Sequence, residues 1–267
     1  MRLFTVDSFT SEPFKGNPAA VCVLEQPLTE AQYIGIAQEM NLPATAFVYE
    51  EHGGYKLRWF TPTNEIGLCG HATLATGKIL FEKLNVNKEA LVFDTKGGEL
   101  TVKRKGTQIE MHFPMGNTQP EPNNDALLES FLGEKPIAMQ SDADLCLVEV
   151  ESSNTVKNLE PNVVLLQEHS KKRFIITSKS SDKGYDFISR VFAPDYGIDE
   201  DPVTGSAHCY LANYWGEKLS KKVLVGYQAS KRGGVVACEI FGNDRVLLRG
   251  DAVIMAELLV EWDWCKI

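Results

Sequence analysis

Two segments, one in each half of the chain, place residues of catalytic type just ahead of what read as helices. The first is Glu65-Ile66-Gly67-Leu68-Cys69-Gly70-His71-Ala72, and the second is Asp199-Glu200-Asp201-Pro202-Val203-Thr204-Gly205-Ser206-Ala207-His208. Each follows the same lead-in, Arg58-Trp59-Phe60-Thr61-Pro62 in one copy and Arg190-Val191-Phe192-Ala193-Pro194 in the other. A helix start offers unpaired N–H groups and the positive end of the helix dipole, which suits a small carboxylate. Gly70 lets the main chain approach a ligand closely. His71, at the first or second helical position, is expected to stay neutral near pH 7 because the dipole disfavours its charged form. The plainer reading is a capping histidine. In the second copy Asp201 precedes a proline and is held extended, and Thr204 or Ser206 can cap the helix. Three acids crowded before a helix start are drawn to it, and a carboxyl beside a closed cleft has its proton affinity moved.

The elements that must position these residues are mostly short strands. Runs at 4–9, 20–24, 45–50 and 55–60 are β-branched or aromatic and bounded by turn residues. Residues 29–40 have amphipathic helical spacing with Thr29 as N-cap, and 70–84 forms a second, mostly apolar helix. Strands at 90–94, 99–105 and 108–113 follow, separated by Gly97-Gly98 and Lys105-Gly106. The proline-rich stretch 114–122 reads as a linker. The second half repeats the order: a helix at 124–132, strands at 144–151, 163–166, 173–177 and 185–192, a helix at 205–219, then strands at 222–228, 234–241 and 245–261. An apolar helix flanked by strands has to be enclosed by them. The expected class is α+β: two pseudo-symmetric lobes, each a curved, mostly antiparallel sheet around a central helix. The expected division is 1–116 and 117–254, with a strand near 255–267 returning to the first lobe.

Composition bounds the partners. The chain has 267 residues, 43% apolar and 24% charged, with a net charge of −9 that argues against sequence-blind nucleic-acid binding. The runs Lys171-Lys172-Arg173 and 218–222 read as solvated surface. No apolar run approaches the ~18–20 residues of a membrane span. Asp7 comes too early for a secretory leader, so a cytoplasmic location is expected. Six cysteines, at 22, 69, 146, 209, 238 and 265, form no Cys-x-x-Cys pair, which points to buried reduced thiols and no metal.

Two further pieces complete a pattern: the turn Phe14-Lys15-Gly16-Asn17-Pro18-Ala19-Ala20, and the helix exit Asn41-Leu42-Pro43-Ala44-Thr45-Ala46-Phe47-Val48. Together with Val6-Asp7-Ser8-Phe9, Phe60-Thr61-Pro62, the segment Leu68 to Ala72, Asp201-Pro202 and the segment Thr204 to Ala207, they resemble the phenazine-biosynthesis PhzF-like family from end to end. The resemblance implies a diaminopimelate epimerase-like fold, a cofactor-free site in a cleft between lobes, a small anionic metabolite as ligand, and a homodimer. Family members of known activity isomerise a dihydro-hydroxyanthranilate by moving a proton across a cyclic diene. Carried over residue by residue, His71 and Asp201 are the polar groups near the substrate. Gly70, Gly205 and Ser206 bind its carboxylate or amine, and Asn17 joins them.

One position departs from the family. Its motif reads Asn-Leu-Ser-Glu-Thr-Ala-Phe, with the Glu as proton shuttle, and this chain carries Pro43 and Ala44 at the Ser and Glu positions. An alanine cannot exchange a proton, so a general acid/base contribution of typically ~10²–10⁴-fold is missing there. Glu39, Glu50 and Glu51 lie nearby in sequence. Three readings follow. The first is a PhzF-like isomerase working through His71 and Asp201. The second is a ligand-binding protein on the same fold. The third is a two-thiol racemase, for which Cys69 has no partner at the second helix start and Cys209 lies a turn too deep.

Overall fold

The repeat in the sequence is a repeat of strand pairing. The computed structural model describes residues 1–122, 125–169 and 171–260, and the chain divides into two units. The first takes in Met1–Phe14, Pro18–His112 and the described residues from Gly250 on; the second takes in Lys15–Asn17 and Phe113–Arg249.

The first unit carries β1 (Arg2–Ser8), β2 (Asn17–Val23, from Pro18 on), α1 (Glu30–Met40), β3 (Ala44–Glu51), β4 (Gly54–Phe60), β5 (Glu65–Ile66), α2 (Gly70–Glu82), β6 (Ala90–Thr95), β7 (Gly98–Lys105) and β8 (Gln108–Pro114, as far as His112). β1 pairs with β2, and β2 runs parallel to β3. β4 lies antiparallel to β3, carries β5 antiparallel, and pairs in parallel with β6. β6, β7 and β8 complete an antiparallel meander. Parallel neighbours need a long crossover, which α1 supplies between β2 and β3 and α2 between β4 and β6. The last of the described strands, β18 (Ala252–Leu259), returns to pair antiparallel with β1.

The second unit repeats this scheme strand for strand. It holds β9 (Gln119–Glu121), α3 (Ala126–Leu132), β10 (Ala138–Ser141), β11 (Leu145–Glu149), α4 (Ser153–Asn158), α5 (Val163–His169), β12 (Arg173–Lys179), β13 (Phe187–Ala193), β14 (Ile198–Asp201), α6 (Gly205–Leu219), β15 (Val223–Gln228), β16 (Gly234–Phe241) and β17 (Arg245–Gly250). β11 is parallel to β12, and β13 is antiparallel to β12 and β14 and parallel to β15. β15, β16 and β17 form the meander. The C-terminal strand, β18, stands to β1 as β9 stands to β10.

Each central helix is small-residue-rich and enclosed. α2 packs on β1, β3, β7 and β18, and α6 on β15 and β16. Gly77 lets α2 approach the sheet: a Cβ there would come within 2.9 Å of Val102 and 3.2 Å of Ile109. Gly216 does the same for α6 against Ile240. α1 begins as expected at Thr29, which forms a capping box with Gln32, and ends with Asn41 in the left-handed region.

The arginine of each lead-in clamps the short strand that precedes its helix. Arg58 on β4 donates to Glu65 on β5 at 2.7 Å and forks onto Glu30 at 2.9 and 3.0 Å. Arg190 on β13 forks onto Glu200 on β14 at 2.6 and 2.8 Å and caps the carbonyls of Val156 and Leu159. Each guanidinium also lies over the phenylalanine two residues on, Phe60 or Phe192. The expectation that three acids crowd the second helix start is thereby corrected. Glu200 is held by Arg190 and Asp199 is exposed, which leaves Asp201.

Other expectations are also revised. Residues 163–166 are not a strand but part of α5, because a short apolar run does not distinguish the two and a parallel β11–β12 pair needs a helical crossover. The single run 245–261 is two strands separated at Gly250-Asp251. The proline-rich stretch 114–122 includes β9. α3 starts at Ala126 behind Asp125, which caps Leu127 and Leu128; Asn124, from which that helix was expected to start, lies outside the described residues, as do Cys265 and positions 261–267. Cys22, Cys69, Cys146, Cys209 and Cys238 are buried and in no disulfide. Among the described residues no helix is long and apolar enough to cross a membrane.

The two clamps differ in exposure, and their removal should differ accordingly. Arg190 and Glu200 are 8% and 17% exposed, so Arg190→Leu strands a buried carboxylate and two carbonyls and should cost about 3–5 kcal/mol in urea denaturation. Arg58 is 23% exposed and divides its bonds between Glu65, 17% exposed, and Glu30, 68% exposed, so Arg58→Leu should cost less, about 1–3 kcal/mol.

Candidate functional site

Neither central helix is capped by the side chain of its own N-cap residue. Cys69 and Thr204 occupy the N-cap positions with extended backbones, and neither side chain bonds its own helix start. The expectation that Thr204 caps α6 is therefore corrected for its hydroxyl, which points back to Asp201 instead.

In the first unit, Gly70 opens α2 and His71 is its second residue, 8% exposed. Burial pushes the imidazole down to about 4. It is neutral at physiological pH, as expected, though desolvation rather than the helix dipole is the cause. The ring Nδ1 stands 3.5 Å from the Cys69 sulfur, and the His71 carbonyl accepts from Ser8 Oγ at 2.8 Å. The Thr73 hydroxyl bonds the Cys69 carbonyl at 2.7 Å.

In the second unit, Asp201 ends β14 with its carboxyl held by two donors. Asn17 Nδ2 donates to Oδ1 at 2.7 Å, and Thr204 Oγ1 donates to Oδ2 at 2.5 Å. Desolvation pushes this half-buried carboxyl up to about 6; the bonds from Thr204 and Asn17 and the nearby Arg173 guanidinium pull it back, while Glu200 adds to the rise. A carboxyl with a midpoint close to neutrality both gives and takes a proton at low cost. Gly205 is buried at the first position of α6, and the Ser206 hydroxyl accepts from Arg173 at 3.4 Å. His208 bonds the Thr204 carbonyl through Nδ1 at 2.9 Å, matching the bond of Thr73 to Cys69 in the other copy.

Asn17 has a task that differs from the expected ligand contact. It is fully buried, and its amide nitrogen donates to Asp201 and to the Val203 carbonyl at 2.8 Å, so it supports the acid. Ala44 is fully buried at the first position of β3, in register with Ala19. The acids near it in sequence lie elsewhere. Glu50 and Glu51 sit at the far end of β3, about 20 Å away at ~3.3 Å per residue. Glu39 is exposed on α1. The racemase pattern also lacks its second thiol: the position matching Cys69 is Thr204, and Cys209 sits inside α6 with its sulfur 3.8 Å from the Gly205 carbonyl.

Sequence reading missed Arg173 and Gln228. Arg173 was hidden in a basic run that reads as solvated surface, yet it is half-buried beside Ser206. Gln228, at the end of β15, is fully buried and bonds both Thr204 and Asp201; no motif marks it.

Comparison with known proteins agrees along the whole chain. The family model described as phenazine biosynthesis-like protein matches residues 6–258. An uncharacterized isomerase of Halalkalibacterium halodurans is 46% identical over 264 residues, covering 97% of this chain and 98% of the relative. The crystal structure of a PhzF-family phenazine biosynthesis protein from Enterococcus faecalis superposes with a TM-score of 0.91 at 40% identity, over 96% of this chain and 97% of that one. A protein of Pseudomonas aeruginosa described as a predicted epimerase shares the fold at TM-score 0.72 and 17% identity, over 98% and 99% of the two chains.

The buried histidines make stability depend on pH in a defined window. Burial pushes His208, like His71, down to about 4, so the unfolded chain binds the proton first. Their contribution is complete above about pH 6.5 and lost as pH falls towards 4, by up to about 3 kcal/mol each. Asp201, being raised, has the opposite sign: its contribution is present at low pH and lost as pH rises through about 6. His208→Asn keeps a donor for the Thr204 carbonyl but cannot be protonated. Urea denaturation of this variant should show a markedly smaller loss of stability between pH 6.5 and 4 than the parent.

Proposed function

Because the chain belongs to the phenazine biosynthesis-like family, we propose that it is a cofactor-independent isomerase that moves a proton within a small carboxylate-bearing metabolite. The observation that carries this reading is the Asp201 carboxyl, pinned between Asn17 and Thr204 and pushed up by burial to about 6. In this mechanism Asp201 exchanges the proton with a carbon of the substrate, and His71, neutral at working pH, is the second polar group at the reacting centre. The N–H groups of Gly70 and Gly205 donate to the substrate's carboxylate, and the Ser206 hydroxyl donates to that carboxylate or accepts from its amine. Ala44 removes the shuttle used in the family's known reaction, so the substrate class is one whose proton Asp201 and His71 handle by themselves. Candidates are β,γ-unsaturated amino and hydroxy acids, whose α-proton is acidified by both the carboxylate and the alkene.

Ala44 favours a second reading, a ligand-binding protein that has lost catalysis. Incubation with such acids in deuterated water, followed by proton NMR, separates the two. The isomerase reading expects exchange at carbon that falls at least ~100-fold in Asp201→Asn and His71→Asn. Exchange unaltered in both variants would sink it, and binding without any exchange supports the second reading. Ala44→Glu tests the pocket from the other side. If the surroundings still fit the family's substrate, this change should create isomerisation of a dihydro-hydroxyanthranilate, measured as a change in its ultraviolet spectrum. No gain would mean the pocket itself has diverged.

A further inference from the structure

We infer that Thr204 and Gln228 form a hydrogen-bond relay that orients the Asp201 carboxyl for proton transfer, with Gln228 acting through Thr204 and the Asp201 main chain. The inference rests on the reading of Asp201 as the proton carrier.

The direction of each bond is dictated by groups that have no alternative. The Thr204 N–H can only donate, and it donates to Gln228 Oε1 at 2.8 Å. The Asp201 carbonyl can only accept, and it takes Gln228 Nε2 at 2.7 Å. These two obligatory bonds fix which end of the buried amide is nitrogen. The same Nε2 then donates to Thr204 Oγ1 at 3.2 Å. With that lone pair engaged, the hydroxyl's single proton goes to Asp201 Oδ2 at 2.5 Å. On the other oxygen, the Asn17 amide is fixed in the same way, by the Val203 carbonyl at 2.8 Å. Each oxygen of Asp201 thus faces one donor of fixed direction. The carboxyl plane is pinned, and a proton taken up by Asp201 must occupy a lone pair turned away from both donors.

Such a relay favours the ionised carboxylate and offsets the desolvation that opposes it. The other charged or titratable groups facing this acid and its relay are Arg173 on β12, Glu200 on β14, itself tied to Arg190, and His208 on α6, which bonds the Thr204 carbonyl. Thr204 and Gln228 are positioning residues, and the distinguishing readout is the titration of Asp201 itself.

The experiment is a carbon-13 NMR titration of the full-length protein labelled at aspartate carboxyls, with the Asp201 signal identified by its loss in Asp201→Asn. The midpoint is expected near 6 in the parent. Thr204→Val, which removes little more than the hydroxyl, should raise it by roughly one pH unit, the effect of losing a hydrogen bond to a charged group. Gln228→Leu should raise it as well, and Thr204→Ser should restore the parent value. A midpoint unmoved by Thr204→Val, or moved as far by Thr204→Ser, overturns the relay. The Thr204 pair decides the matter even where Gln228→Leu does not fold. If the midpoints move as expected while Asp201→Asn leaves carbon exchange intact, the relay stands and the assignment of Asp201 as proton carrier fails.

Discussion

In each unit an arginine grips a carboxylate on the short strand that leads into the central helix. Arg190 holds Glu200 and Arg58 holds Glu65, and in both cases the acid sits on a two- to four-residue strand that would otherwise have too few ladder bonds to hold its place. The bidentate Arg190 supplies direction as well as energy, because its fork matches the planar carboxylate of Glu200, whereas Arg58 gives Glu65 one bond and forks onto Glu30. Once the short strand is fixed to its neighbour, the chain has only a few residues in which to reach the helix. The identities of those residues then become chemistry.

The same plan is used twice with different contents. At the cap position of α2 stands a thiol, Cys69, and at that of α6 a hydroxyl, Thr204. Four residues on, Thr73 in one copy and His208 in the other bond the carbonyl of that cap residue. The two helix starts are alike as scaffolds and unlike as reagents. The first presents a neutral imidazole and the second a carboxyl that titrates near neutrality. In both cases desolvation is the largest influence, and it acts with opposite sign on a base and an acid. A buried histidine loses its charge and a buried carboxyl keeps its proton, which brings both towards the uncharged forms suited to exchanging one.

Around Asp201 burial outweighs the influences that oppose it. Burial raises its proton affinity, while two hydrogen bonds and the Arg173 guanidinium lower it. Ala44 provides no such group in β3, and the acids nearest to it in sequence are exposed or at the strand's far end. Within the second unit the polar groups gather at the start of α6, around Asp201.

Much of this was legible in the chain itself. The repeated Arg-x-Phe-x-Pro lead-ins and the glycines at 70 and 205 announced a duplicated helix start, since glycine and proline act on the backbone locally. The α+β class followed from apolar helices set among β-branched runs. What local pattern could not supply was the partner of each polar group. Gln228 lies 24 residues from Thr204, Asn17 lies 184 from Asp201, and Arg173 lies 33 from Ser206; such pairs are made by strand register. Sequence by itself determined which residues stand at the two helix starts. Only tertiary structure decided which were buried and which donor faced each acceptor, because desolvation and hydrogen-bond direction depend on neighbours that the chain brings in from afar.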